Sequence, residues 1–193
     1  MLYWIGIFFT LLVGVLTFRI IVRRDYLQRG SLSFLATTLE FVIFALHANL
    51  PYLYLGVPWP LFPPLPESFL QRNLSLVIIA AGLVATLGIM AYLGFKTSIG
   101  EQPGTIRQTG PYRWSRNPQL LSYALMLLGF VGLFPSINSL AWFLLYAAIA
   151  HLMVLTEEEH LGNQFEGLYK EYCNQVPRYI FRLQSILPEK SKE

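Results

Sequence analysis

Charge is what this chain has least of. Of its 193 residues only 13% are Asp, Glu, Lys or Arg, while 54% are hydrophobic and the mean hydropathy is +0.48. A soluble domain carries about 25% charged residues. Half that level excludes water as the main solvent and points to one compact membrane bundle rather than one or two soluble domains. Cysteine is nearly absent as well. The single Cys173 excludes internal disulfides and any cysteine-based metal cluster, and is read as a bystander thiol. The net charge of +3 is too small and too dispersed for a nucleic-acid partner. No G-x-G-x-x-G, Walker loop, H-E-x-x-H or G-x-S-x-G occurs, so soluble nucleotide folds are not indicated.

What the chain has is long apolar runs. A helix needs about 20 apolar residues to cross the hydrocarbon core. Leu2 to Val22, Ser33 to Leu55, Leu74 to Phe95 and Gln119 to Leu155 qualify. The last is too long for one crossing and contains the turn signal "GLFPSINS". It is read as a hairpin of Gln119 to Leu133 and Ser136 to Leu155, giving five spans. The N-terminal run has no basic segment before it and no A-x-A-like cleavage site, so a retained first helix is expected.

Basic residues are missing from one side. Twelve of the fourteen follow spans one, three and five, and "PYLYLGVPWPLFPPLPES" has none. The positive-inside rule then places the N-terminus outside and the C-terminus in the cytosol. One cysteine and short loops suit a bacterial inner membrane. The proline-rich stretch 51–66 breaks helix and reads as an outer cap. The expected fold is all-α and integral to the membrane, with about five transmembrane helices and a cytosolic pocket. Residues 1–95 would hold spans one to three, and 96–193 the functional core.

Two polar segments flank the hairpin, "KTSIGEQPGTIRQTGPYRWSRNP" and "TEEEHLGNQFEGLYKEYCNQVPRYIFRLQ". Topology brings Arg116, Asn117 and Glu157 to one mouth. Asn117 and Pro118 have the residue types of an N-cap and first helical position, and the free N–H groups of such a helix start suit an anion. Glu157, Glu158 and Glu159 either continue a solvated helix or face a cationic cofactor, with Arg116 the local partner of Glu157. Glu40 and His47 lie seven apart in span two and should face inward, because ionised groups are costly in a bilayer. His151 is another inward candidate. None of the three has metal-ligand spacing, and His47 reads as a structural hydrogen bonder.

"GPYRWSRNP", a helical hairpin, and then "EEE…F…YKEYCNQVPRYI" together resemble the isoprenylcysteine carboxyl methyltransferase family, which belongs with integral-membrane phospholipid methyltransferases. The resemblance covers roughly residues 95–181. It implies a cytosolic site for S-adenosylmethionine, no metal, and a lipophilic acceptor arriving from the bilayer. Gly104, Thr105, Ile106 and Arg107 would contact the cofactor, and Tyr112 would pack beside it. Asn117, Pro118, Gln119 and Leu120 would line the pocket, and Glu157 would be its acidic partner, with Glu157 and Arg116 the catalytic pair.

Three positions depart from that family's pattern. Asn117 replaces a histidine, Leu120 a tyrosine, and Met153 a catalytic arginine of the carboxyl-methylating members. The last change counts against a prenylcysteine carboxylate as acceptor, leaving a phospholipid or small thiol as alternatives. Membrane sterol reductases using NADPH share a similar G-x-Y…R-H-P pattern, and the acid run after the hairpin favours methyl transfer. In a non-enzymatic membrane subunit, Arg116 and Glu157 would be structural partners only.

Overall fold

A computed structural model of the chain describes residues 1–94 and 106–180. Among these the secondary structure is helical, without strands. Five helices carry the fold: α1 Leu2–Arg29, α2 Phe34–Leu55, α3 Phe69–Leu93, α4 Pro118–Leu133 and α5 Ile137–Gln175. Four are long and apolar enough to cross a membrane. The 16 residues of α4 rise only about 24 Å, short of a core of about 30 Å. It is the shorter half of the α4–α5 hairpin. The protein is an all-α integral membrane protein.

Helix ends differ from the sequence expectations for local reasons. α1 continues past Val22 to Arg29 through a π-helical segment, Thr17–Val22. It stops at Gly30, whose φ of +67° suits glycine. α2 breaks at Leu50–Pro51 and resumes for one turn, Tyr52–Leu55, inside the proline-rich stretch. α3 starts five residues early because Ser68 accepts a hydrogen bond from the Gln71 amide. α5 runs twenty residues beyond Leu155. Its first half is long and apolar enough to span, and the rest is polar.

α5 is the central helix, touching α1, α2 and α4. The closest pairing lies elsewhere, between α3 and α4, and not within the hairpin. Small residues make that seam. A Cβ on Gly129 would stand 2.8 Å from the Ile79 amide nitrogen and 2.9 Å from the Ser75 carbonyl, so only glycine fits. Thr86 and Ser122 hydroxyls bond across it at 2.9 Å. Where lipid is as apolar as the helices, such close approach and interhelical hydrogen bonds drive association. α2 and α4 hardly touch, which leaves a lateral cleft floored by α5.

The loop end of the bundle is held by a polar knot. Trp142 donates to the His47 carbonyl at 2.8 Å, and the His47 ring stacks on Trp142 with Nε2 3.1 Å from its carbonyl. Tyr54 and Ser139 bond at 3.0 Å, and Tyr3 donates to the Asn138 carbonyl at 2.6 Å. His47 is thus the inward, structural hydrogen bonder expected. His151 is not inward: its ring is exposed and bonds the Tyr179 hydroxyl at 2.9 Å. The short Tyr179 segment after α5 lies against it.

Candidate functional site

The segment "GPYRWSRNP" forms a 3₁₀ turn, Gly110–Arg113, then an extended step into α4. Gly110 has φ of +59°, and a Cβ there would stand 2.7 Å from the Tyr92 ring. Tyr92 closes this corner by bonding Thr109 at 2.7 Å. The turn is therefore packed against the end of α3, at a residue where only glycine avoids strain.

The end of α5 folds over the same turn. Glu166 has φ of +34°, ψ of −109°, and kinks the helix. Beyond it Tyr169, Tyr172 and Val176 form a small core with Ile106, Phe165 and Cys173. The Tyr172 hydroxyl donates to the Tyr112 carbonyl at 2.8 Å. The Arg116 amide donates to the Pro177 carbonyl at 3.0 Å. Ser115 and Asn117 side chains both donate to the Arg178 carbonyl, at 3.2 and 3.1 Å. Residues 172–178 are a strap tied across the junction.

Asn117 stands at the N-cap position with Pro118 as first helical residue, yet its side chain makes no cap bond. It is spent on the strap instead. Pro118 is buried, and the Gln119 and Leu120 carbonyls accept from Ser122 and Tyr146, both at 2.9 Å. The start of α4 is therefore anchored on α5 from inside.

The acid run divides three ways, as residues 100° apart on a helix must. Glu158 takes Arg116 at 3.1 Å and Arg178 at 2.6 Å, with 13% of its side chain exposed. Glu159 turns to α1, 2.6 Å from Arg23 and 3.8 Å from Arg19. Arg23 holds its carboxyl below the usual range. Glu157 is half-buried and has no hydrogen bond or ion pair among the described residues. Its electrostatic neighbours include Tyr26 of α1, Glu40 of α2, Tyr112, and Tyr169 beyond the kink of α5. Burial pushes its proton affinity up, and the adjacent Glu158 adds to that. The Tyr112 hydroxyl is pushed up to about 12, by burial first and Glu157 second, against Arg107.

Arg116 therefore does not pair with Glu157, contrary to the sequence expectation. Its guanidinium is drawn to Glu158, one step further round α5, and to the Cys173 sulfur, which the strap brings to its side. The expectation of a continuing helix after Leu155 holds, but the acids are half-buried and not solvated. Among the described residues, two buried atoms at this mouth lack a hydrogen bond, the donor Arg116 Nε and the acceptor Glu158 Oε1. Ile106 packs under the strap and Arg107 is exposed near Tyr112. Gly104 and Thr105 lie outside the described residues. Met153 is half-buried one turn from Glu157. Among the described residues, no three His, Cys, Asp or Glu are placed to hold a metal.

A family model described as phospholipid methyltransferase (PEMT) matches residues 70–167, half of the chain. The chain belongs to the phospholipid methyltransferase family. It is a membrane methyltransferase. The match takes in α3, the junction, α4, and α5 as far as the kink, so it includes the glycine seam and all three acids. No curated protein and no solved structure gives a match. Tyr26 and Glu40, which face Glu157, come from outside the part that this phospholipid methyltransferase match covers.

Sequence reasoning missed Tyr26 and the strap. Tyr26 reads as part of a basic loop, because α1 was expected to end at Val22. Arg178 reads as one more inside charge in the tail, and its pairing with Glu158 depends on the Glu166 kink. The proline after Val176 was the one visible signal of a chain leaving a helix.

Proposed function

We propose that this protein transfers a methyl group from S-adenosylmethionine to a lipophilic acceptor at the cytosolic mouth of the bundle. The observation that carries the reading is the unmatched charge of the mouth. Glu158 and Glu159 are neutralised by arginines, whereas among the described residues Glu157 has tyrosines and carboxylates for neighbours, Tyr26, Glu40, Tyr112, Tyr169 and Glu158. A half-buried carboxylate without a partner suits a cation, and the unmet Arg116 Nε suits a carboxylate. S-adenosylmethionine carries both kinds of charge, so the residues present fit it. Glu157 would take its positive end and Arg116 its carboxylate, with the start of α4 and Tyr112 as walls.

When bound, the cofactor supplies a sulfonium methyl as electrophile. The chain's own residues then orient and exclude water: the strap covers the mouth, and Tyr112 and the α4 start fix the floor. The acceptor is a nucleophile brought from lipid. An acceptor carboxylate would meet Glu40 and Glu157, with Met153 where carboxyl-methylating relatives have an arginine. An amine headgroup of a phospholipid or similar amphiphile meets groups able to take its proton, which an amine must lose before attack. Glu40 is placed for that on the α2 side. The amine acceptor is therefore preferred over a prenylcysteine carboxylate. The orientation with N-terminus outside and C-terminus cytosolic, and a bacterial inner membrane, belong to the same proposal and rest on the basic-residue asymmetry.

Calorimetry on the purified protein tests the reading. S-adenosylhomocysteine is expected to bind and NADPH is not. Binding of NADPH alone would move the protein to the reductase reading, and binding of neither to a non-enzymatic one.

A further inference from the structure

The bundle has an apolar cavity that the mouth does not use. It has a volume of about 190 Å³ and sits in the cleft between α2 and α4. Ala48 and Tyr54 of α2, Tyr123, Met126 and Phe130 of α4, and Trp142 of α5 line it. We propose that this cavity holds the hydrocarbon chain of the methyl acceptor and selects acceptors by chain length, an inference that rests on the methyltransferase reading above.

Three observations choose that occupant. Tyr52 and Phe62, ring centroids 6.4 Å apart, line it on the loop side, and the cleft between α2 and α4 opens it to a chain arriving from the bilayer. Its inner end is tied to the proposed site: Tyr123 contacts Tyr146, centroids 5.1 Å apart, and Tyr146 bonds the Leu120 carbonyl. Its depth matches a long chain. Tyr123 lies about 8 Å and Phe134 about 24 Å along α4 from Pro118, by helical rise. One leaflet of hydrocarbon is about 15 Å. A chain with its head at the mouth must be longer than a leaflet to fill the cavity.

Selection here cannot come from the hydrophobic effect, because the chain leaves lipid and not water. It comes from packing against the aromatic walls, as between helices in a membrane. A chain too short leaves the Phe130 and Trp142 end without partner atoms. A side chain that fills the cavity excludes the long chain and spares the short one.

The experiment uses the full chain in lipid nanodiscs made from a total bacterial lipid extract, with methyl-labelled S-adenosylmethionine. Labelled products are sorted by chain length in a mass spectrometer, for the unaltered protein and for Ala48→Phe. Ala48 is exposed in the cleft, so its replacement fills space without entering the core. S-adenosylhomocysteine affinity is measured on the same samples. The expected result is a fall of about tenfold or more in the ratio of long-chain to short-chain products, the discrimination of a few methylenes, with the affinity unchanged. The same ratio in both proteins, with S-adenosylhomocysteine bound, overturns the inference and leaves the methyltransferase reading standing. Absence of both binding and labelled product overturns that reading, and the assignment of the chain with it. Should Ala48→Phe fail to fold, Phe130→Ala enlarges the same space and must shift products to longer chains. No shift there overturns the inference too.

Discussion

The two ends of α5 handle buried polar groups in opposite ways. At the loop end Trp142 bonds His47, Tyr54 bonds Ser139 and Tyr3 donates to the Asn138 carbonyl, so three helices are joined. Among the described residues the unmet atom there is His47 Nδ1. With Nε2–H donating to the Trp142 carbonyl, Nδ1 is a bare lone pair on a neutral ring, the cheapest group to leave unbonded. At the other end, among the described residues, Arg116 Nε and Glu158 Oε1 lack a hydrogen bond within the ion-pair cluster, and Glu157 beside it has neither a hydrogen bond nor an ion pair. The sequence could have closed this end, since Arg116 and Arg178 both reach Glu158. Unmet groups that carry charge are what a ligand would complete, whereas a neutral lone pair at the loop end asks for none.

The largest effect should come from removing the centre of the finished part of the mouth. Glu158→Ala leaves Arg116 and Arg178 facing each other, and uncompensated buried charge costs about 3–5 kcal/mol. Arg178 is 37% exposed, so the lower end, about 3 kcal/mol, is expected. Thermal unfolding in detergent measures it. The strap should loosen too, and protease should cut near Val176. An unchanged melting point would mean that the strap is held by its backbone bonds alone.

Glu157→Gln should do the reverse. Losing an unpaired, half-buried charge leaves the fold as stable or more so. Binding of S-adenosylhomocysteine should weaken by about 2 kcal/mol, near thirtyfold, as for a hydrogen bond to a charged group. A destabilised protein with normal affinity would make Glu157 architecture and erase the contrast between the two ends. At the loop end, Trp142→Phe removes one buried donor and should cost about 1 kcal/mol of stability. The site lies about 22 Å away by helical rise, so affinity for S-adenosylhomocysteine should not change.

pH separates the same two roles with opposite slopes. Burial raises the Glu157 pKa in the fold, so the native state holds this proton more tightly than the unfolded chain. Its contribution to stability is present below the ordinary carboxylate value of about 4.3 and is lost as pH rises through the raised native value. A cation needs the ionised form, so affinity for S-adenosylhomocysteine rises with pH over the same window. Glu40, Glu158, Tyr26, Tyr112 and Tyr169 also face this group, so the difference between unaltered protein and Glu157→Gln is the quantity to follow. Parallel slopes, or none in that difference, would remove Glu157 from the site.

Legibility in the sequence followed the physics of each feature. Apolar runs fix where helices form, and five helices came out at the expected places, four of them long enough to cross, because lipid leaves an apolar run no alternative. The Pro135 turn and the N1 proline of α4 were readable for the same local reason. Helix ends in water were not, since α1 and α5 extend on contacts made by Tyr26, Glu159 and Tyr172 with other elements. The acid run was legible as a site, but which acid pairs with Arg116 depends on a 100° step and on the Glu166 kink. Neither leaves a mark in composition. The glycine seam was hidden because Gly129 looks like an ordinary residue of an apolar helix until α3 and α4 are placed together.

The smallest effect should belong to Glu159, and it tests the three-way division of the acids. Glu159 meets Arg23 at 2.6 Å and Arg19 at 3.8 Å, but 31% of its side chain and 44% of that of Arg23 are exposed. Exposed pairs give back in side-chain entropy and screening most of what attraction supplies. Glu159→Gln should therefore change neither the melting point nor S-adenosylhomocysteine affinity measurably, and added salt should not reveal a difference. Thr156 already holds α1 at this level, accepting from Arg19 at 3.2 Å and donating to the Phe18 carbonyl at 3.1 Å. Loss of affinity in Glu159→Gln equal to that in Glu157→Gln would mean that the mouth senses total negative charge. The orientation of one carboxylate would then carry no weight, and the contrast between paired and unpaired acids would fall with it.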